Sequence, residues 1–175
     1  MSEENKSSEE LTIKAPSSNQ PQLEKTVKHI KQFIGEPAIL NVYINEMDAD
    51  LVCLEINESS LLDVMNLLRN HPELQFDYLR NLSGVDQESH LEVVYHLTSF
   101  QLNQDLCIKV KTDREQPSIQ SVTSVWPTAN WNEREVYDLL GIQFQNHPDL
   151  RRIMMPDDWV GYPLRKDYEP IDPEV

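Results

Sequence analysis

Residues 90–111 read HLEVVYHLTSFQLNQDLCIKVK. Apolar residues alternate with polar ones from Leu91 to Leu97 and again from Leu106 to Val110, and the polar connection QLNQ separates the two runs. A period of two is typical of strands that bury one face, and a short polar link between two such runs predicts an antiparallel hairpin. This stretch therefore predicts the centre of a β-sheet.

The residues that precede this hairpin predict further strands and two helices. Apolar residues at helical spacing predict helices over 22–34 and 59–72, and two short β-like runs over 38–44 and 50–56, joined by the turn-like EMDA, predict another hairpin. Residues 76–86 predict one more strand, which runs into a turn at Gly84. The order αββα followed by βββ predicts an α+β fold with a mostly antiparallel sheet packed against helices and an extended C-terminal tail.

The composition limits the class of protein. A chain of 175 residues with 39% hydrophobic residues is long enough for one domain with a sizeable core. Its formal net charge of −15 argues against nucleic-acid binding, because phosphate contacts depend on a basic face. No apolar run reaches the roughly 18–20 residues of a membrane-spanning helix, and the acidic start MSEENKSSEE is unlike a signal peptide. A cytosolic protein is expected, with membrane contact only through partners.

Two cysteines, Cys53 and Cys107, lie singly in strand-like runs. No CxxC motif or Cys/His cluster accompanies them, so the residues predict no iron–sulfur cluster, zinc site or redox cofactor on this chain. Both thiols are expected to be reduced and buried in the core.

The two ends of the chain differ from its middle. Residues 1–21 are rich in Ser, Glu, Asn and Gln and predict a disordered tail. Residues 22–155 form the predicted α+β domain. Residues 156–175 contain four prolines and aromatic residues without a period, which indicates an extended segment that docks on another protein.

Three residues of this docking segment have predicted roles. Trp159 and Tyr162 are expected to be buried anchors at a partner, and Arg165 is expected to pair with a carboxylate or carbonyl of a neighbouring chain. Because binding would supply these contacts, the segment is expected to be mobile in the free protein.

Residues 118–142 predict two short helices separated by Pro127, and charged residues mark the start of the second. Asn132 has the position of a helix cap, with Glu135 at the capping-box spacing. Arg134 and Asp138 are four residues apart and are expected to pair along the helix. Gly141 is expected to end the helix in the left-handed conformation.

This charged helix start has three interpretations: an ordinary capped helix, an acid/base active site, or a charged docking surface. Glu133, Glu135 or Asp138 would serve a carboxylate-based hydrolase, but catalytic carboxylates usually need a shielded pocket and a helix start is wet. His147 precedes a proline in a loop, which favours a structural hydrogen bond over catalysis or metal binding. Arg151 and its neighbour could bind phosphate, but no Gly-rich loop accompanies them.

The spacing of these residues resembles a known family. From Glu133 to Met154 the chain has ERE, two residues, Asp, two apolar residues, six residues, His, three residues, Arg, one residue and Ile-Met. This pattern resembles the 30 kDa-type subunit of respiratory complex I, which is the C-type subunit in bacteria and the J-type subunit in cyanobacteria and plastids. The following MMPDDWVGYPLRKDY resembles the ending of that family. The resemblance covers residues 76–168 and is most specific over 126–168.

The resemblance implies a non-redox subunit in the hydrophilic arm of a proton-pumping NAD(P)H or ferredoxin:quinone oxidoreductase. Flavin and iron–sulfur clusters would lie on other subunits, with quinone as the electron acceptor. The implied partners are the quinone-site subunit and the subunit that carries the last iron–sulfur cluster. The ending EPIDPEV favours the cytoplasmic side of a bacterial plasma membrane over a thylakoid membrane. A similar subunit of a membrane-bound hydrogenase-type complex is the alternative.

The resemblance also assigns an interface role to the signature residues, with no catalytic, cofactor-binding or metal-binding residue among them. The residues concerned are Glu133, Arg134, Glu135, Asp138, His147, Arg151, Trp159, Tyr162, Arg165, Lys166, Asp167 and Tyr168.

Overall fold

A computed structural model describes residues 17–169, and a five-stranded sheet forms its centre. The strands, in chain order, are β1 Ile39–Asn45, β2 Leu51–Ile56, β3 Tyr78–Asp86, β4 Leu91–Ser99 and β5 Gln104–Thr112. Their order across the sheet is β1-β2-β5-β4-β3. All neighbouring pairs are antiparallel except β2 and β5, which are parallel.

The hairpin of residues 90–111 lies in the sheet as predicted. Strands β4 and β5 pair continuously from Leu91 opposite Thr112 to Ser99 opposite Gln104. The first hairpin is also confirmed, with Ile44 opposite Val52 near its turn. Each hairpin joins two strand-like runs through a short connection, so the local sequence suffices to predict both.

Two helices cover one face of the sheet. Helix α1 spans Gln20–Phe33 and helix α2 spans Leu61–Asn70. The main core consists of side chains from this face of the sheet and from both helices, all fully buried: Ile30, Val52, Leu54, Leu61, Val64, Met65, Leu68, Leu106, Ile108 and Val110. Helix α1 begins two residues before its predicted start, and most of the predicted disordered tail lies outside the described residues.

Residues 118–126 correct the prediction of a first short helix. Strand β6, Ser118–Gln120, pairs in parallel with strand β7, Gln143–Gln145. A turn follows, in which the N–H of Val125 donates to the carbonyl of Val122 at 2.9 Å. The partner of β6 lies more than twenty residues further along the chain, so the local sequence does not reveal it. The α+β fold class is confirmed.

Helix α3, Ala129–Leu140, packs on β3 at the edge of the sheet. Gly84 lies inside β3 and makes this close packing possible, which corrects its predicted role in a turn. A Cβ atom at this position would lie 2.9 Å from the Cγ1 atom of Val136 and closer still to the side chain of Leu140. The glycine is needed for the approach of the helix rather than for a change of chain direction.

Candidate functional site

The charged signature lies in the middle of helix α3, because the helix begins earlier than predicted. Its first residue is Ala129, and Thr128 precedes it without a side-chain cap. The predicted cap is therefore wrong: Asn132 is inside the helix, where its side-chain amide donates to the carbonyl of Leu82 at 3.4 Å. The preceding turn leads directly into the helix through a bond from the N–H of Ala129 to the carbonyl of Trp126.

Glu133 is fully buried rather than solvated. One carboxylate oxygen accepts the hydroxyl of Ser121 at 2.6 Å, and the other accepts the N–H of Val122 at 2.7 Å. Burial raises the pKa of Glu133 to about 7, and these two hydrogen bonds oppose that rise only in part. The side chain therefore ties α3 to the segment that follows β6.

His147 completes this buried cluster. Its Nε2 atom donates to the carbonyl of Asn130 at 3.2 Å, and its Nδ1 atom accepts the N–H of Asp149 at 3.0 Å. The same Nε2 atom lies 3.9 Å from the carboxylate of Glu133. The predicted structural role of the histidine is confirmed, because both ring nitrogens are occupied by backbone groups of its own chain.

Asp138 is the second fully buried carboxylate of the helix. One oxygen accepts three successive backbone N–H groups, from Ile153 at 2.9 Å, Met154 at 2.6 Å and Met155 at 3.0 Å. The other oxygen accepts the guanidinium of Arg152 at 3.1 Å. Burial by itself would raise the pKa of Asp138, but the three N–H groups and the nearby cation outweigh it and lower the pKa.

The predicted pair of Arg134 and Asp138 does not form, because Arg152 occupies the carboxylate. Arg134 instead donates through Nε to the carbonyl of Arg151 at 3.2 Å, and its guanidinium lies 4.5 Å from the ring centre of Trp131. The side chain of Arg151 is exposed and pairs with a surface aspartate.

The chain from residue 161 onwards closes the C-terminal end of α3. The N–H of Leu164 donates to the carbonyl of Leu139 at 3.0 Å, and Nε of Arg165 donates to the carbonyl of Leu140 at 2.8 Å. A helix leaves its last carbonyls without internal partners, and these donors supply them. The acceptor of Arg165 thus belongs to its own chain, which corrects the expectation of a neighbour's acceptor.

Tyr162 packs on the end of the same helix. Gly141 has the predicted left-handed conformation, with φ of 79°. The Tyr162 ring lies against this glycine, so closely that an added Cβ atom would come within 2.6 Å of it. The guanidinium groups of Arg152 and Arg165 lie 5.5 and 5.0 Å from the centre of the ring. Two cations near the ring interact favourably with its electron-rich π system.

Asp86, at the end of strand β3, binds the part of the chain around Lys166. Its carboxylate accepts the backbone N–H of Lys166 at 2.9 Å and a hydrogen bond from Arg114, whose other terminal nitrogen donates to Asp167 at 2.8 Å. Burial would raise the pKa of Asp86, but Arg114 and two backbone N–H groups outweigh it and hold the pKa at about 2. Asp86 and Arg114 were not predicted as site residues, because neither belongs to a periodic pattern or to the motif.

Residues 161–168 therefore contact helix α3 and strand β3 of their own chain, while the mobility of the tail and its docking on a partner stay predictions. Lys166 also pairs at the surface with Glu88 at 3.0 Å, and the Tyr168 ring lies near Gly161. Trp159 remains 37% exposed and is not a buried anchor within this chain.

Glu135 and several apolar side chains remain on the surface around this site. The exposed apolar residues of helix α3 and the following segment are Trp131, Met154, Trp159, Val160 and Leu164. We call these five residues and Glu135 the exposed signature surface. The buried signature residues connect helix α3 to other segments of their own chain through hydrogen bonds. The residues of the exposed signature surface are accessible to a partner.

Within residues 17–169, no group of three or more His, Cys, Asp or Glu side chains is placed to hold a metal ion. The same part of the chain contains no helix whose length and hydropathy would allow it to cross a membrane.

Comparison with known proteins identifies relatives of about two thirds of this chain. The C-type subunit of NADH-quinone oxidoreductase from Roseiflexus sp. (strain RS-1) is 50% identical over 115 residues, which cover 64% of this chain and 66% of that protein. The C/D-type subunit of NADH-quinone oxidoreductase from Phocaeicola vulgatus is 46% identical over 118 residues, which cover 66% of this chain and 22% of that protein.

A solved structure shares the fold. A chain in the structure of the membrane-bound sulfane sulfur reductase, an archaeal respiratory membrane complex, superposes with a TM-score of 0.68 over 86% of this chain and 87% of that chain. The identity is 22%, so this likeness concerns the fold alone. The family described as respiratory-chain NADH dehydrogenase, 30 Kd subunit, matches residues 54–174. The chain therefore belongs to the 30 kDa subunit family of the respiratory-chain NADH dehydrogenase.

Proposed function

We propose that the chain is a non-redox structural subunit in the hydrophilic arm of a proton-translocating NAD(P)H or ferredoxin:quinone oxidoreductase. It holds neighbouring subunits in place while electrons pass from the donor, through flavin and iron–sulfur clusters on other subunits, to quinone. Relatives that are named as the C-type subunit of NADH-quinone oxidoreductase support this proposal. No catalytic step is assigned to the chain itself.

The observation that supports a structural role is that the two buried carboxylates accept hydrogen bonds from their own chain. Both oxygens of Glu133 and both oxygens of Asp138 accept hydrogen bonds from their own chain. A general acid or base must reach a proton on a substrate, and a fully buried, fully occupied carboxylate cannot do so. This argues against a free-standing hydrolase, even though the pKa of Glu133 is raised to about 7.

The exposed signature surface is the proposed docking site for the quinone-site subunit. Trp131 is 63% exposed, Val160 is 71% exposed and Leu164 is 59% exposed. Exposed large apolar side chains on a helix and on the segment packed against it are typical of interfaces, where aromatic residues supply much of the binding energy. In the C/D-type relative from Phocaeicola vulgatus, a C-type segment and a D-type segment share one chain, which supports a direct contact between the two.

We propose that residues 156–175 contribute to this docking, with the exposed side chains of Trp159, Val160 and Leu164 among the contacts. Because residues 161–168 are already ordered on their own chain, a partner would bind a preformed surface and would lose less conformational entropy. We propose a second contact of this chain, with the subunit that carries the last iron–sulfur cluster. These partners would hold the chain at the cytoplasmic side of a bacterial plasma membrane, with a thylakoid membrane as the alternative.

Co-purification tests this proposal. A tagged copy of the chain is recovered from detergent-solubilised membranes, and the proteins that accompany it are identified by mass. The proposal predicts the quinone-site subunit and iron–sulfur subunits of an NADH:quinone oxidoreductase. Recovery with hydrogenase-type subunits would favour the alternative complex, and recovery of an unaccompanied monomer would contradict both.

A further inference from the structure

The sheet has a second face, opposite helices α1 and α2, and both cysteines lie there. Side chains alternate between the two faces of a strand. Val52 and Leu54 belong to the main core, whereas Cys53 between them packs in a separate small cluster with Leu51, Val94 and Cys107. The predicted burial of the two thiols is confirmed, since each is 2% exposed, but they are not part of the main core.

Cys53 and Cys107 are direct neighbours in the sheet. They are paired in register across the parallel strands β2 and β5. On β1 the residue opposite Cys53 is Tyr43, and on β4 the residue opposite Cys107 is His96. The row Tyr43, Cys53, Cys107 and His96 therefore crosses four strands on one face.

The register places the two thiols within bridging range. Neighbouring strands lie about 4.7–4.9 Å apart. Disulfides join residues whose Cα atoms are roughly 4.4–6.8 Å apart and whose side chains point to the same side. Cys53 and Cys107 meet both conditions, because in-register residues of parallel strands share a face. Both are free thiols in this structure.

The two thiols are chemically unequal. Hydrogen bonding from Cys107 lowers the pKa of Cys53 to about 7 and outweighs the effect of burial, with smaller contributions from Tyr43 and the Lys109 cation. The same hydrogen bond, together with burial, raises the pKa of Cys107. Cys53 is therefore the thiol that forms a thiolate, and the thiolate is the form that reacts.

Tyr43 on β1 lies beside Cys53 on this face of the sheet. Tyr43 is 36% exposed, and the Lys109 ammonium lies 6.0 Å from the centre of its ring. Rotation of a surface tyrosine or lysine side chain is fast compared with thiol oxidation, so a small oxidant can reach the sulfur without unfolding of the sheet.

We propose that Cys53 and Cys107 form a dithiol site that a peroxide oxidises to an intramolecular disulfide between the two central strands. The Cys53 thiolate attacks the peroxide, so that an S–O bond forms, the O–O bond breaks and the leaving hydroxide takes up a proton as water. The Cys107 thiol then attacks the sulfenic acid, so that the S–S bond forms, the S–O bond breaks and the leaving hydroxide takes up the thiol proton as a second water. Two electrons pass from the sulfurs to the peroxide. The proposal does not depend on the proposed function.

Peroxide treatment of the full-length chain tests the site. The reduced protein is exposed to hydrogen peroxide, unfolded, alkylated and weighed by mass spectrometry, with a non-reducing gel run in parallel. The expected result is a monomer that has lost two hydrogens and accepts alkylation at neither cysteine, and that regains both thiols after treatment with dithiothreitol. A wild-type chain that stays fully alkylatable, or that forms only disulfide-linked dimers, would overturn the proposal.

Two matched variants assign the roles of the thiols. Cys107→Ser retains the reactive thiol, so it is expected to stop at a sulfenic acid that dimedone labels. Cys53→Ser is expected to lose the reaction with peroxide. The opposite assignment would contradict the roles given to the two sulfurs. Thermal melting of both variants shows whether they fold, and the wild-type result decides the proposal even if one of them does not.

Discussion

The carboxylate of Asp138 accepts the backbone N–H of Met154 at 2.6 Å, and this bond joins helix α3 to the chain that follows β7. The two neighbouring N–H groups converge on the same oxygen, and Arg152 balances the charge. A single aspartate thus organises the loop from which the exposed Met154 side chain projects. In this signature, the buried Asp138 side chain thus holds an exposed residue, Met154, in position.

Replacing this carboxylate should destabilise the fold. Asp138→Asn removes the negative charge beside Arg152 and weakens three short hydrogen bonds, so we expect the free energy of unfolding to fall by about 2–4 kcal/mol. Urea unfolding followed by circular dichroism measures the loss. The matched control is Asp149→Asn, at an exposed aspartate, which should change stability by less than about 0.5 kcal/mol. Equal effects of the two variants would argue against the role of Asp138.

Glu133 should make the fold less stable as the pH rises. Its pKa is raised from an ordinary value of 4.5 to about 7 in the folded chain. Between these two values the unfolded chain releases the proton while the folded chain retains it, so stability falls with rising pH in this window. Below this window Glu133 is protonated in both the folded and the unfolded chain, so its burial causes no loss of stability by ionisation. Above pH 7 the loss of stability has its full size.

Glu133→Gln should remove this pH dependence, because a neutral amide can hydrogen-bond to Ser121 and Val122 without ionising. Relative to the wild type, the variant should gain up to about 3 kcal/mol between pH 4 and pH 8, since each pKa unit is worth about 1.4 kcal/mol. Unfolding free energies of both proteins across this range provide the comparison. Parallel curves for the two proteins would show that Glu133 does not titrate abnormally.

The contact between helix α3 and strand β3 should tolerate no side chain at Gly84. Gly84→Ala places a methyl group against Val136 and Leu140, and overpacking of this kind costs about 1–3 kcal/mol. The control is Ser83→Ala, the preceding residue of the same strand, which should have a smaller effect. Thermal melting distinguishes them. An unchanged melting temperature for Gly84→Ala would contradict the observed packing.

The isolated chain should carry no chromophore besides its own aromatic residues. Purified without other subunits, it should show protein absorption alone, because flavin and iron–sulfur clusters are proposed to lie on partner subunits. Visible absorption spectroscopy and metal analysis are the measurements. Stoichiometric flavin or iron that survives removal of the other subunits would contradict the non-redox role.

Local and non-local features of the chain differed in how well the sequence predicted them. A short connection between two strand-like runs predicted both hairpins, because the strands of each hairpin pair with neighbours that are close in sequence. Helical spacing predicted α1 and α2 for the same reason. Strand β6 was not predicted, since its partner β7 lies on the far side of helix α3 in the sequence.

The candidate site was predicted in part of its membership but not in its geometry. The motif singled out Glu133 and Asp138, yet their burial depends on Ser121 and Arg152, which lie outside the helix. A capping box and an i,i+4 ion pair are local patterns, and tertiary contacts replaced both of them. Asp86 lies eighty residues before Lys166, so no spacing rule could link the two.

The central claim is that the signature holds a subunit in place in the complex. Separate measurement of assembly and turnover tests this claim most directly. Membranes are prepared from cells that carry Glu135→Gln or Trp159→Ala in the exposed signature surface, with Glu24→Gln on helix α1 as the control. The amount of assembled complex and the NADH:quinone turnover per assembled complex are determined for each. We predict less assembled complex for the two surface variants, with unchanged turnover per complex, and a normal amount for the control. Full assembly with abolished turnover would contradict the structural role and would place the signature in the catalytic reaction.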